Sequence, residues 1–368
     1  MDDSVQICEG QTEILIPIQH SEGGPGKKTQ SVFFNHQMAF NRDISVMLVR
    51  SMANIIDIAD SMTATGSRAI RLANEAPHTN VVANDFDERS RPFIEANIHL
   101  NDLQNCRCSI RNLSCLLAEE SFDYVDLDPF GSPVPYLHAA IRGCRRNGIL
   151  AVTATDTAPL AGAHRAKCER RYQSRPLRGP MCHESGLRIL MATLARELAK
   201  FDRGMEPMLC FYADHYFRCY VRVKEGAVNA DRTLSQLGYY HYDRESLQRS
   251  FSSIRDDDHC YGPVWGGSLH DTAYFEEFET EGLAESKRVQ KNLELWKKEL
   301  PSPLLYEVGE FSSRLKVASP RLDVLLEALR DHGKAEKTHI TPTSFRTDLP
   351  LEMIKQLYVE SSGRKSWY

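Results

Sequence analysis

The sequence lacks the features that mark several classes of protein. It has no run of about 18 apolar residues, so we expect no transmembrane helix. The first residues, Met1 to Asp3, are acidic, and no apolar signal core follows them. The ten cysteines are scattered and none forms a Cys-x-x-Cys pair. We therefore expect reduced thiols, a cytoplasmic location and no metal site.

Neither sign of charge dominates the chain. It has 45 Lys and Arg against 50 Asp and Glu, a net charge of −5. This balance excludes a wholly basic nucleic-acid-binding protein but leaves room for a local basic patch. The dinucleotide pattern Gly-x-Gly-x-x-Gly and a phosphate-binding P-loop are both missing. Their absence disfavours a nicotinamide or flavin cofactor.

The length of 368 residues predicts two domains. In the first part, strand-like and helix-like stretches alternate, which is typical of an α/β fold with a doubly wound parallel sheet. The predicted strands are Ile55–Asp60, Asn80–Asp85, Cys106–Arg111, Phe122–Asp128 and Gly148–Thr155. The predicted helices are Ser67–Glu75, Glu88–Leu100, Pro135–Arg146 and Ser185–Lys200.

The pattern changes after about Gly226. Turns, short strands and two amphipathic helices follow, Gly282–Glu299 and Pro320–His332. We therefore predict a doubly wound domain over residues 1–226 and a smaller α+β domain over residues 227–368.

Two predicted strands end in acids that suit a nucleoside-like cofactor. The first is followed by the loop from Asp60 to Gly66, where a glycine allows close backbone approach. The second ends in Asp85, an acid that can accept both hydroxyls of an adenosine ribose. A ribose without phosphates is typical of S-adenosylmethionine.

The most specific segment is Asp128-Pro-Phe-Gly-Ser-Pro133, which follows the strand ending at Asp128. Prolines and a glycine restrain this loop, and Phe130 offers a flat ring for base stacking. A carboxylate on Asp128 and the carbonyl of Pro129 can both accept N–H groups of an exocyclic amine. Accepting them localises the nitrogen lone pair towards a methyl donor, so the loop indicates amine methylation.

A basic arm lies between residues 161 and 188. It holds seven basic residues against Glu169 and Glu184, a local excess that suits a phosphate backbone. The basic residues are Arg165, Lys167, Arg170, Arg171, Arg175, Arg178 and Arg188.

The loop at Asp128 is similar to the acid-Pro-Pro-aromatic signature of amino-methyltransferases. In its Asp-Pro-Phe-Gly-Ser-Pro form it resembles the tRNA (guanine-26, N2)-dimethyltransferase family. Further stretches support this resemblance, which covers nearly the whole chain: Val32-Phe-Phe-Asn35, Asn41-Arg-Asp43, Ala64-Thr-Gly66, Val152-Thr-Ala-Thr-Asp-Thr-Ala-Pro159, Ala213-Asp-His-Tyr-Phe-Arg218 and Gly262-Pro-Val-Trp265.

The resemblance implies a Rossmann-like methyltransferase domain, a C-terminal tRNA-binding domain and S-adenosyl-L-methionine as cofactor. It implies cofactor contacts at Arg42, Arg68 and Asp85, and an acceptor role for Asp128. It also implies that Phe33 and Phe130 sandwich the guanine. Many family members carry an acid after the third strand, where this chain has none, so Asn112, Leu113 or Ser114 would serve there. With the basic arm, Arg170 and Arg171 become candidates for binding tRNA.

Two other functions remain open. The acid-Pro-Pro-aromatic pattern also occurs in amino-methyltransferases that act on adenine or on protein glutamine. A catalytically silent RNA-binding or tRNA-folding protein is the third possibility. We expect a monomer that binds tRNA and does not bind membranes.

Overall fold

The computed structural model describes residues 4–23, 32–255 and 260–363. Its strands are β1 (Ser4–Glu9), β2 (Thr12–Pro17), β3 (Asp57–Asp60), β4 (Asn80–Asp85), β5 (Cys106–Ile110), β6 (Phe122–Leu127), β7 (Cys144–Ala154), β8 (Arg203–Ala213), β9 (Tyr216–Glu225), β10 (Leu237–Tyr242), β11 (Arg249–Ser252), β12 (Cys260–Trp265), β13 (Tyr306–Glu307), β14 (Ala335–Lys337) and β15 (Ser344–Thr347).

The α-helices alternate with the strands in the first part of the chain and dominate its end. They are α1 (Ala39–Arg50), α2 (Ser67–Glu75), α3 (Arg91–Leu100), α4 (Leu113–Glu119), α5 (Leu137–Gly143), α6 (Thr157–Leu160), α7 (Arg165–Tyr172), α8 (Cys182–Ala199), α9 (Ala227–Leu234), α10 (Ser286–Lys298), α11 (Val308–Leu315), α12 (Leu322–Arg330) and α13 (Leu351–Ser362).

A seven-stranded sheet in the order β5-β4-β3-β6-β7-β9-β8 forms the centre. The first five strands pair in parallel, while β9 is antiparallel to both β7 and β8. The predicted α/β class and doubly wound sheet are therefore confirmed, with an antiparallel pair added at one edge. The chain order reverses between β3 and β6, and such a switch point is where ligands bind in open α/β sheets.

Both faces of the sheet are buried because successive side chains of a strand point to opposite sides. On β6, Val125 and Leu127 belong to one hydrophobic core, whereas Tyr124 belongs to the other. Burial on both faces explains why these strands are short continuous apolar runs rather than alternating ones.

The predicted helix over Pro135–Arg146 is wrong at both ends. Its first residues form a 3₁₀ turn, and α5 ends at Gly143, after which β7 begins. A Cβ on Gly143 would lie 2.7 Å from the Leu117 side chain, so the close packing of α5 on α4 requires glycine there. After the buried Cys144, the strand continues with exposed polar residues, Arg145 to Asn147, which gave no strand signal in the sequence.

Apolar packing crosses the predicted boundary near Gly226. Tyr240 and Trp265 lie in the same core as residues of α8, and Trp296 of α10 packs near Phe40 of α1. Residues near the C-terminus have a core of their own, which includes Phe311 and Phe345. The division at residue 226 thus stays a prediction. Within the described ranges, none of the helices combines the length and apolar character that membrane crossing requires.

Candidate active site

Three loops meet at the carboxyl ends of β3, β4 and β6, at the switch point of the sheet. The loop after β3 is tied to both neighbouring strands. Ser61 N–H donates to the carbonyl of Asp126 (3.1 Å), and Thr63 N–H donates to the carbonyl of Asn84 (2.9 Å). The loop reaches α2 through Gly66, whose φ of 85° favours glycine. The sequence-predicted cofactor loop therefore lies where a ligand can approach α2 from the strand ends.

Asp85 lies at the end of β4 with its carboxylate turned to this loop. One oxygen accepts the backbone N–H of Ala64 (2.7 Å), and the other accepts that of Asp87 (2.9 Å). An ionised carboxylate has about four acceptor positions, so two remain for hydroxyl donors. The geometry therefore suits the predicted ribose contact, which itself stays a prediction.

Asp128 follows β6 and forms an ion pair with Arg68 of α2. The side chain of Asp128 is 17% exposed and that of Arg68 is 7% exposed. Nη1 of Arg68 also donates to Asn41 Oδ1 (2.7 Å) and to the Ser45 hydroxyl (2.8 Å). The structure therefore brings together two residues that sequence reasoning assigned separately to the cofactor and to catalysis.

Behind this pair lies a buried acidic and basic cluster that the sequence analysis missed. Arg218 donates to both carboxylate oxygens of Asp126 (2.6 and 3.1 Å), and both side chains are fully buried. Burial alone would raise the pKa of Asp126, but ion pairs with Arg218 and Arg68 outweigh it and lower this pKa. Burial and the nearby Asp126 charge raise the pKa of Asp60 to about 7. Arg218 stands in one of the stretches that carried the family resemblance.

The loop after Asp128 is held against the end of β7. Gly131 has a φ of 87°, and its N–H donates to the Thr155 hydroxyl (2.7 Å). In return, Thr155 N–H donates to the Gly131 carbonyl (3.0 Å). Pro129 is buried at the start of the loop, whereas Phe130 is 54% exposed. The loop thus presents a carboxylate and an open aromatic face side by side, as stacking and orienting a base would require.

Phe33 and Phe130 contact each other directly. Their ring centroids are 4.6 Å apart and the ring planes meet at 75°, an edge-to-face pair. A base sandwiched between two rings needs them parallel and farther apart. The predicted sandwich therefore requires these rings to separate, although the exposed face of Phe130 is open for stacking as it stands.

The other predicted cofactor residues have structural partners. The guanidinium of Arg42 donates to both oxygens of Glu9 (2.6 and 2.5 Å) in a buried pair. Asn112 caps the start of α4 by accepting the N–H of Ser114 (2.9 Å). Leu113 is only 6% exposed and packs in the core, so a ligand would meet its backbone rather than its side chain. These three contacts remain predictions.

The basic arm forms α7, the loop that leads to α8 and the first residues of α8, where Arg188 is buried and pairs with Glu184 (2.6 Å). Arg170 is exposed. Arg171 is 41% exposed on its side chain and donates to Asp156 (3.1 Å), so its charge is partly balanced. Arg175 lies over the ring of Tyr261 at 5.0 Å. The arm follows β7, at the same sheet edge as Asp128, and its tRNA contacts stay predictions.

Phe86 is a second feature that sequence reasoning missed. It follows Asp85 directly and is 77% exposed, the largest such fraction among the exposed large apolar residues described. An exposed aromatic beside an acid that suits a ribose offers a stacking surface for an attached base. Its position one residue after a strand-ending acid was the available signal.

His270, Glu299 and His339 bring their ligand atoms within 4.8 Å of one another, away from this site. His339 Nε2 accepts the backbone N–H of Tyr212 (3.4 Å), and its Nδ1 faces Glu299 (2.6 Å). Arg346 holds the other oxygen of Glu299 (3.0 Å). This hydrogen bonding disfavours metal binding and links the sheet to the C-terminal residues.

The chain matches the family model described as N2,N2-dimethylguanosine tRNA methyltransferase over residues 10–359. It is similar to tRNA (guanine(26)-N(2))-dimethyltransferase of Pyrococcus horikoshii, with 38% identity over 95% of this chain and 96% of the relative. The enzyme of the same name from Thermococcus kodakarensis is 38% identical over 96% of this chain and 98% of its own length.

The comparison with solved structures also finds a similar protein over nearly the whole chain. The fold is similar to that of Trm1 from Pyrococcus horikoshii in complex with S-adenosyl-L-methionine, with a TM-score of 0.89 and 37% identity. The match covers 96% of this chain and 99% of that structure.

Proposed function

Because the chain belongs to the N2,N2-dimethylguanosine tRNA methyltransferase family, we propose that it methylates the N2 amine of guanine 26 in tRNA, giving N2-methylguanosine and N2,N2-dimethylguanosine. The methyl donor is S-adenosyl-L-methionine. One observation carries the proposal: the carboxylate of Asp128 lies beside the open ring of Phe130 at the switch point of the sheet. The relatives' names favour this reaction over methylation of adenine or protein glutamine, and over a silent RNA-binding role.

The residues around Asp85 fit the cofactor. Its carboxylate keeps acceptor capacity for ribose hydroxyls, and Phe86 offers an exposed ring beside it. Arg68, which forms the ion pair with Asp128, supplies positive charge for the carboxylate of the cofactor. When bound, the cofactor supplies a methyl group on a sulfonium, which is already a good leaving group.

Catalysis by this chain is mainly a matter of orientation. The N2 amine is a weak nucleophile because its lone pair is delocalised into the purine ring. We assign to Asp128, together with the Pro129 carbonyl, the role of accepting the N–H groups of this amine. Arg68 holds the Asp128 carboxylate in place. Holding reactants in line supplies most of the rate in such a displacement.

The tRNA partner suits the exposed basic arm. We assign Arg170 and Arg171 to phosphate contacts, since α7 begins on the sheet edge that carries Asp128. We propose a monomer as the working form. The ten cysteines are free, which fits a reducing cytoplasm.

A methylation assay tests the proposed function. The protein is incubated with labelled S-adenosylmethionine and an unmodified tRNA transcript, and the products are digested to nucleosides. We expect label in N2-methylguanosine and N2,N2-dimethylguanosine, located at position 26. A matched transcript with adenine at position 26 is the control and should take up no label. Equal labelling of both transcripts would contradict the assignment of position 26.

Replacing Asp85 by alanine tests the cofactor site. The variant loses the acceptor for the ribose hydroxyls, so we expect the affinity for S-adenosylmethionine to fall by roughly 1.5–3 kcal/mol, the range for a hydrogen bond to a charged group. Calorimetric titration measures this change. Asp102→Ala, a change of an acid in the turn after α3, should bind as the unaltered protein does. Unchanged affinity in a folded Asp85→Ala protein would show that the ribose does not bind at Asp85.

A further inference from the structure

Two consecutive residues directly after β7, Thr155 and Asp156, connect the Asp128 loop with the basic arm. Thr155 exchanges two hydrogen bonds with Gly131, and Asp156 accepts hydrogen bonds from the last two residues of α7. We propose that Thr155 is a positioning residue for the loop from Asp128 to Pro133, and that Asp156 ties this loop to the basic arm. The proposal rests on the proposed function, because it concerns the same loop.

The loop needs an external support. Gly131 lies in the left-handed region, and a Cβ there would meet nothing within 4 Å, so packing around this residue does not fix its position. Phe130, its neighbour, is half exposed, and its ring contacts the ring of Phe33. The paired hydrogen bonds with Thr155 therefore fix the loop at its midpoint, three residues after Asp128.

Asp156 extends this support to α7. Its side chain is 7% exposed and accepts the Tyr172 hydroxyl (2.5 Å) and one guanidinium nitrogen of Arg171 (3.1 Å). Burial raises the pKa of Asp156, and the two donors oppose this effect. Tyr172 is fully buried, and its hydroxyl also neighbours Ser132 of the loop from Asp128 to Pro133. The end of α7 is thus fixed both to Asp156 and to the loop from Asp128 to Pro133.

Arg171 can serve two partners at once. Its side chain is 41% exposed, so its remaining N–H groups are open to a phosphate while one nitrogen holds Asp156. A tRNA phosphate on this guanidinium would therefore contact a side chain that forms an ion pair with Asp156. Asp156 directly follows Thr155, the residue that supports Gly131. Binding of the tRNA backbone and placement of the loop from Asp128 to Pro133 therefore depend on the same two residues, Thr155 and Asp156.

Thr155→Val removes the hydroxyl and keeps the side-chain shape. We expect the single-turnover rate with saturating tRNA and cofactor to fall about 10–100-fold, because a displacement near 1 Å costs this much. The affinities for tRNA and S-adenosylmethionine should not change, and Thr155→Ser should restore most of the rate. Thr79→Val removes a buried hydroxyl on the opposite edge of the sheet and is the matched control.

Hydrogen–deuterium exchange of the Gly131 amide gives a readout that does not depend on activity. We expect faster exchange in Thr155→Val than in the unaltered protein, whatever the enzyme methylates. A failed methylation assay would thus refute the proposed function. The exchange rate would still show whether Thr155 holds the loop in place. An unchanged exchange rate, or an unchanged turnover despite faster exchange, would overturn the role of Thr155.

Tyr172→Phe tests the connection to α7 and keeps the buried ring. In the unaltered protein, we expect added tRNA to slow exchange of the Gly131 amide. In Tyr172→Phe, which lacks the hydroxyl bound by Asp156, this slowing should be lost while tRNA still binds. Equal slowing in both proteins would overturn the role of the Tyr172 hydroxyl in linking α7 to Asp156 and Ser132. This variant also tests the proposal if Thr155→Val does not fold.

Discussion

Asp128→Ala is expected to lower the single-turnover rate of methyl transfer by about 10²-fold or more, because a misplacement of a reactant by about 1 Å already costs about 10²-fold. The change removes the acceptor for the amine N–H groups and leaves Arg68 with Asp126 as its remaining carboxylate partner. The rate is measured with saturating tRNA and cofactor, after both are shown to bind. A rate like that of the unaltered enzyme would remove Asp128 from the mechanism.

Asp128→Asn separates two roles of this carboxylate. An amide keeps one acceptor oxygen but cannot take a proton. We expect measurable activity in this variant, well above that of Asp128→Ala, because the amine becomes acidic only after it is methylated and can lose its proton late. If both variants were equally impaired, the carboxylate would have to take the proton during transfer. Asp102→Asn, an acid-to-amide change in the turn after α3, serves as the matched control.

Arg218→Met is expected to lower the free energy of unfolding by about 3–5 kcal/mol. The substitution leaves the fully buried Asp126 without its closest cation, and removing one partner of a buried pair leaves an uncompensated charge. Arg68 also contacts Asp126, at 3.4 Å, and can offset only part of this loss. Urea unfolding followed by near-ultraviolet circular dichroism measures the change.

Two further variants sharpen this prediction. Arg218→Met combined with Asp126→Asn removes both charges, so it should recover part of the lost stability. Arg89→Met breaks the ion pair of Arg89 with Asp87, in which both side chains are well exposed, and should change stability little because solvent screens such pairs. Similar stabilities of Arg218→Met and Arg89→Met would show that the buried pair does not hold this part of the sheet.

The sequence alone determined the alternation of strands and helices and the position of the strand-ending acids. β4 and α2 have the predicted bounds, and β3, β5 and β6 differ from the predictions by one or two residues. These features depend on local periodicity and on turn residues, which a reader of the sequence can see directly. Asp85 and Asp128 follow from that pattern, since parallel strands end at one edge of the sheet. The family resemblance was likewise readable from short stretches.

Only the tertiary structure decided which charges meet. Arg68 and Asp128 are 60 residues apart in the chain, and Arg218 and Asp126 are 92 apart. No local pattern encodes such pairs, because they depend on the strand order and on which helix covers each face. The same holds for the edge-to-face contact of Phe33 with Phe130 and for the packing that crosses residue 226. Local sequence determines where each strand and helix forms. Burial of their apolar faces determines which strands and helices pack against one another.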